Sequence, residues 1–426
     1  MEIINNIIYG DKALKLDSLS FLISVISMII IPLYFWFMPP IMVLWGIICL
    51  LGIRNKIKDF SNIDYKHKLL FFLFISFYIW QLIGLLYSEN FAGGIRNIVL
   101  RLSILLFPLV LICPGKIIQG KDRFLLKVFA VSTFIYILIC YAYAFFRSID
   151  YINGAIVFNP HPPVYDWLNY FFASDFAIFQ HPSYLSMFII FSVYIALQEV
   201  FAKTVSMTSR VLWLMICVVF LSAIYLLSSR AGMLATIISI PIYLLIKLRN
   251  QKIKKYLAVG ISITFIAILA ILISNPRLIN YFKSDSKTEL LNKTLKESRL
   301  YIWKASFNII KNNLVFGVGT GGIQNELNME YTRLGNTDLI EAGNLNSHNQ
   351  YLEVIAEHGL IGLILLLSVF VLMLLIAISE RNILLLMFII IVTFSLIFET
   401  MFNRLAGVSF FSLFSFLLLN YKVKKE

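Results

Sequence analysis

His348 stands where a polar stretch gives way to a long apolar run, NSHNQYLEVIAEHGLIG over residues 346–362. Ser347 and Gln350 have the spacing of a capping box, which predicts Ser347 as the N-cap and His348 and Asn349 as the first helical residues. The positive end of a helix attracts phosphate and favours a neutral imidazole able to accept a proton. Polar residues also gather at helix starts without doing chemistry, so His348 alone decides nothing. Four arginines supply the complementary charge. Arg230, in Ser229-Arg-Ala-Gly232, falls in a short turn between two apolar runs, where headgroup contact competes with anion binding. Arg299 heads an amphipathic stretch, and its guanidinium could grip a diphosphate bidentately or form an ordinary surface ion pair. Arg101 lies inside an apolar run, and Arg96 lies near that run's end. Glu353 and Glu357, one turn apart beyond His348, read either as groups that orient it or an arginine, or as structural partners. His181, before Pro182, and His161 are weaker candidates, and Trp303 belongs to the Arg299 stretch.

Some patterns point away from other chemistries. Gly317-Val-Gly-Thr-Gly-Gly322 has the form Gly-x-Gly-x-x-Gly, but no strand or βαβ unit precedes it. It reads as a glycine-rich turn, with an anion-binding nest as the lesser alternative. No carboxylate cluster or histidine spacing suggests a metal site, and no cofactor motif is present.

Long apolar segments must hold these residues. Hydrophobic residues make up 60% of the chain and charged ones 14%, with a mean hydropathy of +0.84, more apolar surface than one soluble core can hide. The expected fold is an all-α polytopic membrane protein, with spans near 18–37, 39–53, 69–87, 95–113, 124–146, 182–201, 211–228, 231–247, 256–274, 351–378, 383–402 and 405–420, about twelve in all. The organisation read from these is a first block of helices over 1–274, an extracytoplasmic loop over 275–350, and the last helices with a tail over 351–426, forming one integrated membrane domain. Within the loop, Ser298 could cap a helix presenting Leu300, Trp303, Phe307 and Ile310, ended by Asn312 and Asn313. Such a helix would lie along the membrane surface or pack on the tops of the spans.

The net charge of +13 is scattered over short loops without a clustered face, which argues against nucleic acid. Lysines and arginines concentrate in alternate loops, and the positive-inside rule then puts both termini in the cytoplasm and His348, Arg299 and Arg230 outside it. Cys49, Cys113, Cys140 and Cys217 lie in or at the ends of apolar runs, without ligand spacing, and read as packing residues.

His348-Asn349, nine residues, Gly359, two residues and Gly362 resembles the signature of the O-antigen ligase and polymerase family of membrane glycosyltransferases. The Ser-Arg-Ala-Gly segment at Arg230 and the Arg299-x3-Trp303 segment leading to Gly317-Val-Gly319 are similar to further parts of that family. The likeness covers roughly residues 210–375, and His181-Pro-Ser-Tyr184 echoes it faintly. The resemblance implies a C-type glycosyltransferase architecture in a bacterial inner membrane with a periplasmic site. It implies transfer of glycan from an undecaprenyl-diphosphate donor to an acceptor glycolipid or glycan, such as lipid A core; direct attack would be inverting, and with no carboxylate cluster in view the transfer is expected to be metal-independent, arginines supplying the positive charge. His348 would be the base, with Arg230 and Arg299 holding the diphosphate. The signature is shared with repeat-unit polymerases and protein O-oligosaccharyltransferases. A multi-span transporter or flippase is a reading from another class, against which no inverted repeat is visible and the cations gather at one membrane face.

Overall fold

The computed structural model describes Ile3 and residues 11–114, 117–161, 169–248, 286–341 and 345–421. The expected span at 256–274 and the basic tail at Lys422, Lys424 and Lys425 lie outside the described residues. Among those described, eight helical segments are long and apolar enough to cross a membrane: Leu14–Leu51, Tyr65–Leu85, Phe91–Leu111, Asp122–Arg147, Pro182–Phe201, Met207–Leu227, Arg230–Lys247 and Gln350–Ser379. Two shorter apolar helices, Ile383–Phe398 and Leu405–Leu419, follow. The chain is an all-α polytopic membrane protein. In hydrocarbon every backbone polar group must be satisfied within the structure, and helices meet that demand locally.

Two of these segments are broken. Leu14–Leu51 runs through two helices, Lys12–Tyr34 and Met38–Leu51, joined by a single 3-10 turn at Phe35–Phe37. Phe91–Leu111 contains the helices Phe91–Leu100 and Ser103–Leu111, and Arg101 caps the first of them with its backbone outside the helical region. The break falls where the intramembrane charge is.

The helix Pro182–Phe201 is buried along most of its length and packs against Asp122–Arg147, Met207–Leu227, the helix beginning at Arg230, and Ile383–Phe398. Lipid tails are as apolar as leucine, so contact here rests on close packing and polar bonds more than on water exclusion. Phenylalanine rings supply the packing: Phe129 and Phe414 have centroids 4.7 Å apart, Phe188 and Phe410 4.8 Å, and Phe191 and Phe414 4.9 Å. At the other end of the helix, Glu199 accepts from Arg123 at 2.6 Å and pairs with Lys127 at 2.8 Å.

Outside the spans, the helices Ser286–Asn312, Ile323–Arg333 and Asp338–Glu341 share a small core of Ile302, Ala305, Ile309, Ile323, Leu327 and Tyr331, which closes on Ala356 at the top of the Gln350–Ser379 helix. Two expectations need correction. Ser298 lies inside the helix Ser286–Asn312 and does not begin it. The face turned to the core is Ile302, Ala305, Ile309 and Ile310, whereas Leu300 and Phe307 are exposed. Packing on the span tops, not hydropathy alone, selects that face. The loop after Arg147 holds an antiparallel hairpin, Ile149–Ile152 with Ala155–Phe158. Asn153 and Gly154 both have positive φ at its turn, as the tightest hairpins require.

Candidate functional site

A kink in one helix builds the floor of the site. Within Gln350–Ser379, Gly359 has φ 67° and ψ −170°, a conformation essentially restricted to glycine. The kink takes the carbonyls of Ala356, Glu357 and His358 out of the helical ladder. Each finds a donor: Val318 N at 3.0 Å, Gly319 N at 2.9 Å and Trp80 Nε1 at 2.9 Å, while Leu360 N turns to Leu314 O at 2.8 Å. Gly317, with φ 72°, runs so close that a Cβ there would lie 2.6 Å from Glu357 O. The glycine-rich segment is therefore a docking strap, bound on its other side through Thr320 N to Gly84 O at 3.1 Å. Its Gly321 N donates to Glu357 Oε1 at 2.9 Å, so the anion this turn holds is the protein's own carboxylate.

Below the strap lies a buried polar network centred on Arg101. Its Nε donates to Phe402 O at 3.4 Å. Nη1 reaches Gln81 Oε1 at 3.2 Å and His358 Nε2 at 3.1 Å, and Nη2 reaches Glu357 Oε2 at 2.8 Å and Asn403 Oδ1 at 2.6 Å. A guanidinium has five N–H donors; four find oxygen acceptors here, and the fifth faces His358 Nε2, which itself lies 3.3 Å from Glu357 Oε2. Arg101, expected to bind the donor, is 3% exposed and enclosed by these partners. Glu357 is its counter-ion, so of the roles expected for that residue the contact seen is with an arginine. Arg96 is exposed, next to Asn97, whose amide donates to Glu357 Oε1 at 3.3 Å.

The network passes upward to His348. Asn403 Nδ2 donates to Glu353 Oε1 at 2.6 Å, and Glu353 Oε2 accepts from Ser347 N at 3.2 Å and from Ser347 Oγ. Ser347 is consequently not the helix cap. Asn349 is, its Oδ1 accepting from Tyr351 N at 2.9 Å and Leu352 N at 3.1 Å. Gln350 does not complete a capping box either, because its Oε1 accepts from Phe402 N at 2.6 Å. His348 accordingly precedes the helix and adopts a left-handed φ of 44°, a strained conformation for a non-glycine residue. Its side chain is 28% exposed, and Nδ1 lies 3.5 Å from Glu399 Oε2.

Glu399 ends the helix Ile383–Phe398, and its other oxygen accepts from Ser183 Oγ at 3.2 Å. Burial alone would raise the Glu399 carboxyl, but the hydrogen bond from His348 and the charges of His181 and His348 bring it below the ordinary carboxylate range. His181 is the N-cap of the helix Pro182–Phe201, accepting from Ser183 N at 3.4 Å. Arg404, exposed at the start of Leu405–Leu419, acts electrostatically on the neighbouring Tyr184.

The remaining expected residues approach from two sides. Ser186 Oγ donates to Ser229 Oγ at 3.2 Å, and Ser229 Oγ accepts from Gly232 N at 3.2 Å, which ties the start of the helix that begins at half-buried Arg230 to the Pro182–Phe201 helix. Ser306 Oγ lies 3.3 Å from Ser347 Oγ. Arg299, seven residues before Ser306, shares its helix face about 10 Å further along. Trp303, on the same face, is half-buried, with an indole N–H that has no hydrogen-bond partner among the described residues. Among the described residues no group of three His, Cys, Asp or Glu side chains has the arrangement of a metal site. His161 is exposed in the loop after the hairpin. Glu399, His358, Gln81, Asn403 and Ser183 were not singled out in the sequence. Each meets its partner across a long chain separation, and no local spacing reveals such a pair.

The arrangement joins a half-exposed imidazole, a carboxylate against it, and arginine-bearing elements at one end of a helical bundle. That is equipment for deprotonating a hydroxyl next to a leaving anion. Residues 212–367 match the family model described as O-antigen ligase. The match includes Arg230, Arg299, His348 and Gly359, and stops short of His181, Arg101 and Glu399. No curated protein matches the chain.

Proposed function

We propose that this chain, a ligase or polymerase-type membrane enzyme of the O-antigen ligase family, moves glycan from an undecaprenyl-diphosphate donor to the hydroxyl of an acceptor glycolipid such as lipid A core. The observation that carries the reading is His348 itself. It is a partly exposed imidazole held in a left-handed turn, 3.5 Å from Glu399, and the residue before it, Ser347, meets the helix that carries Arg299 through Ser306. His348 takes the proton of the acceptor hydroxyl, whose oxygen attacks the anomeric carbon. Arg230 and Arg299 hold the diphosphate and stabilise the charge it gains as the glycosidic bond breaks. A single direct displacement inverts the anomeric centre. A lipid donor suits a site at the end of membrane-crossing helices, where an embedded tail and an aqueous glycan can both reach. Arg101, Glu357 and Glu353 form the scaffold beneath the site. The face concerned is the periplasmic one, with both termini cytoplasmic, in keeping with the distribution of basic residues between loops.

The test is binding of undecaprenyl-diphosphate-linked glycan to purified variants, alongside transfer to added acceptor. His348→Ala should keep donor binding and lose turnover by about 10² or more, the scale of general-base catalysis. Arg230→Ala and Arg299→Ala should weaken donor binding, and lysine should restore only part of it, since an ammonium lacks the planar fork. A folded His348→Ala protein with near-normal transfer would overturn the assignment.

A further inference from the structure

We infer that Glu399 is a positioning residue for His348: its carboxylate, fixed by Ser183, accepts a hydrogen bond from Nδ1–H so that Nε2 is presented to the acceptor hydroxyl. The inference rests on the reading of His348 as the base.

Three observations support it. First, the contact is between His348 Nδ1 and a carboxylate oxygen, at 3.5 Å. That separation is long for a hydrogen bond, yet catalytic contacts of this kind commonly tighten only when substrate is bound. Second, the carboxylate is itself held. Ser183 Oγ donates to Oε1 at 3.2 Å, from the first turn of a helix that is buried along most of its length. Glu399 is 17% exposed, so it is shielded from water more than His348, which is 28% exposed. Third, the backbone has been bent to make the meeting possible. His348 has a left-handed φ, and Glu353 ties down the residue before it through both Ser347 N and Oγ. A turn fixed this way limits which side of the imidazole can face outward. The lone pair follows from the tautomer, since a neutral imidazole that donates from Nδ1 must accept at Nε2.

In the reaction, the acceptor oxygen forms its bond to the anomeric carbon as the bond from that carbon to the diphosphate breaks, and the diphosphate leaves with the electron pair. The hydroxyl proton passes to His348 Nε2. The imidazolium so formed lies against the Glu399 carboxylate, which stabilises it until the proton is released to water. His181, also beside Glu399, adds a second ring whose charge bears on the same carboxylate. Tyr184 lies within the field of both Glu399 and Arg404.

A purely structural role is the competing explanation, since Glu399 also ties the link after Phe398 to the Pro182–Phe201 helix through Ser183. The two are separated by measuring transfer and donor binding for Glu399→Gln, Glu399→Asp, His348→Ala and Glu399→Gln/His348→Ala in the purified full chain, with undecaprenyl-diphosphate bearing a fluorescent glycan. Expected is a fall in kcat of about 10- to 10²-fold for Glu399→Gln, the rate equivalent of one charge-assisted hydrogen bond, with donor affinity unchanged. Glu399→Asp should recover part of it, and the double variant should be no slower than His348→Ala, because a positioning group has no work once its partner is gone. An equal fall from Glu399→Gln in both backgrounds, or a loss confined to donor binding, overturns the inference and leaves Glu399 as scaffold. If Glu399→Gln does not fold, Glu399→Asp is compared in the same two backgrounds, and equal falls overturn the inference in the same way. A dead His348→Ala beside a wild-type Glu399→Gln removes this inference alone, whereas an active His348→Ala removes the base assignment and the inference with it.

Discussion

Replacing Gly359 with alanine tests whether the kink is what fastens the glycine-rich strap. An L-residue at φ 67° and ψ −170° is strained by about 1–3 kcal/mol. The added Cβ would also lie 2.1 Å from Val315 O and 2.6 Å from Phe316 N, so backbone on one side must move. The strap is the side free to move, because the other is a packed helix. If it withdraws and two of its bonds to the kink are lost, at about 1 kcal/mol net each, the docked state weakens by about 3–5 kcal/mol in all. At 1.4 kcal/mol per decade, that is a rise of at least about 10²-fold in the open population. Hydrogen exchange of the protein in nanodiscs reads this directly. The amides of Val318, Gly319 and Leu360, which donate across the kink, should exchange about 10²-fold faster, while Leu385, bonded to Asn382 far from the kink, serves as the unchanged reference. Wild-type exchange at Val318 and Gly319 in Gly359→Ala would refute the reasoning, since no helix could absorb that Cβ and keep the same bonds.

Further outcomes are expected elsewhere. Arg101→Ala leaves Glu357 buried without its counter-ion and should cost about 3–5 kcal/mol in thermal or denaturant unfolding, with the Arg101→Met/Glu357→Gln pair milder than either charge removed alone. Glu399 has a carboxyl held below the ordinary carboxylate range, so its ionised form stabilises the protein at and above that range and the contribution is lost as pH falls through the lowered value. Glu399→Gln should therefore flatten the acid limb of a melting-temperature profile, and an unchanged limb would contradict the sign. Transfer should continue in excess EDTA if arginines carry the leaving-group charge, and activity lost on chelation and restored by Mg²⁺ or Mn²⁺ would contradict it. Single cysteines placed beside Arg230 and His348 in a Cys-free background should label from the same side of the membrane, and labelling from opposite sides would dismantle the site.

The spans were legible because an apolar stretch of the right length has few alternatives in a membrane chain. Boundaries at Pro182, Gln350 and Ile383 fall close to where composition put them. The functional end was legible in part. Arg101 drew notice as an intramembrane charge, but its partners lie 256 residues away at Glu357 and 302 away at Asn403, and no local pattern pairs them. Ser347 and Asn349 are both cap-forming types two residues apart, and only the buried Glu353 contact decides between them. Gly359 was visible as a spacing and not as a kink, because the reason for it sits in residues 314–319. The hairpin turn at Asn153-Gly154 carried a readable signal that the surrounding proline and aromatic residues obscured.

The pairing of Arg101 with Glu357 also bears on how the protein is made. The carboxylate is synthesised 256 residues after the arginine, which at about 5–20 residues per second is a delay of roughly 13–50 s. Throughout that interval a helix segment carrying an unneutralised guanidinium must be kept near the membrane, at a cost of about 2.5–3.5 kcal/mol if it were to sit at mid-bilayer on its own. The polar packing around this early segment is thus completed only once Glu357 and Asn403 have been made, so the segment's charge is the last part of it to find its partners.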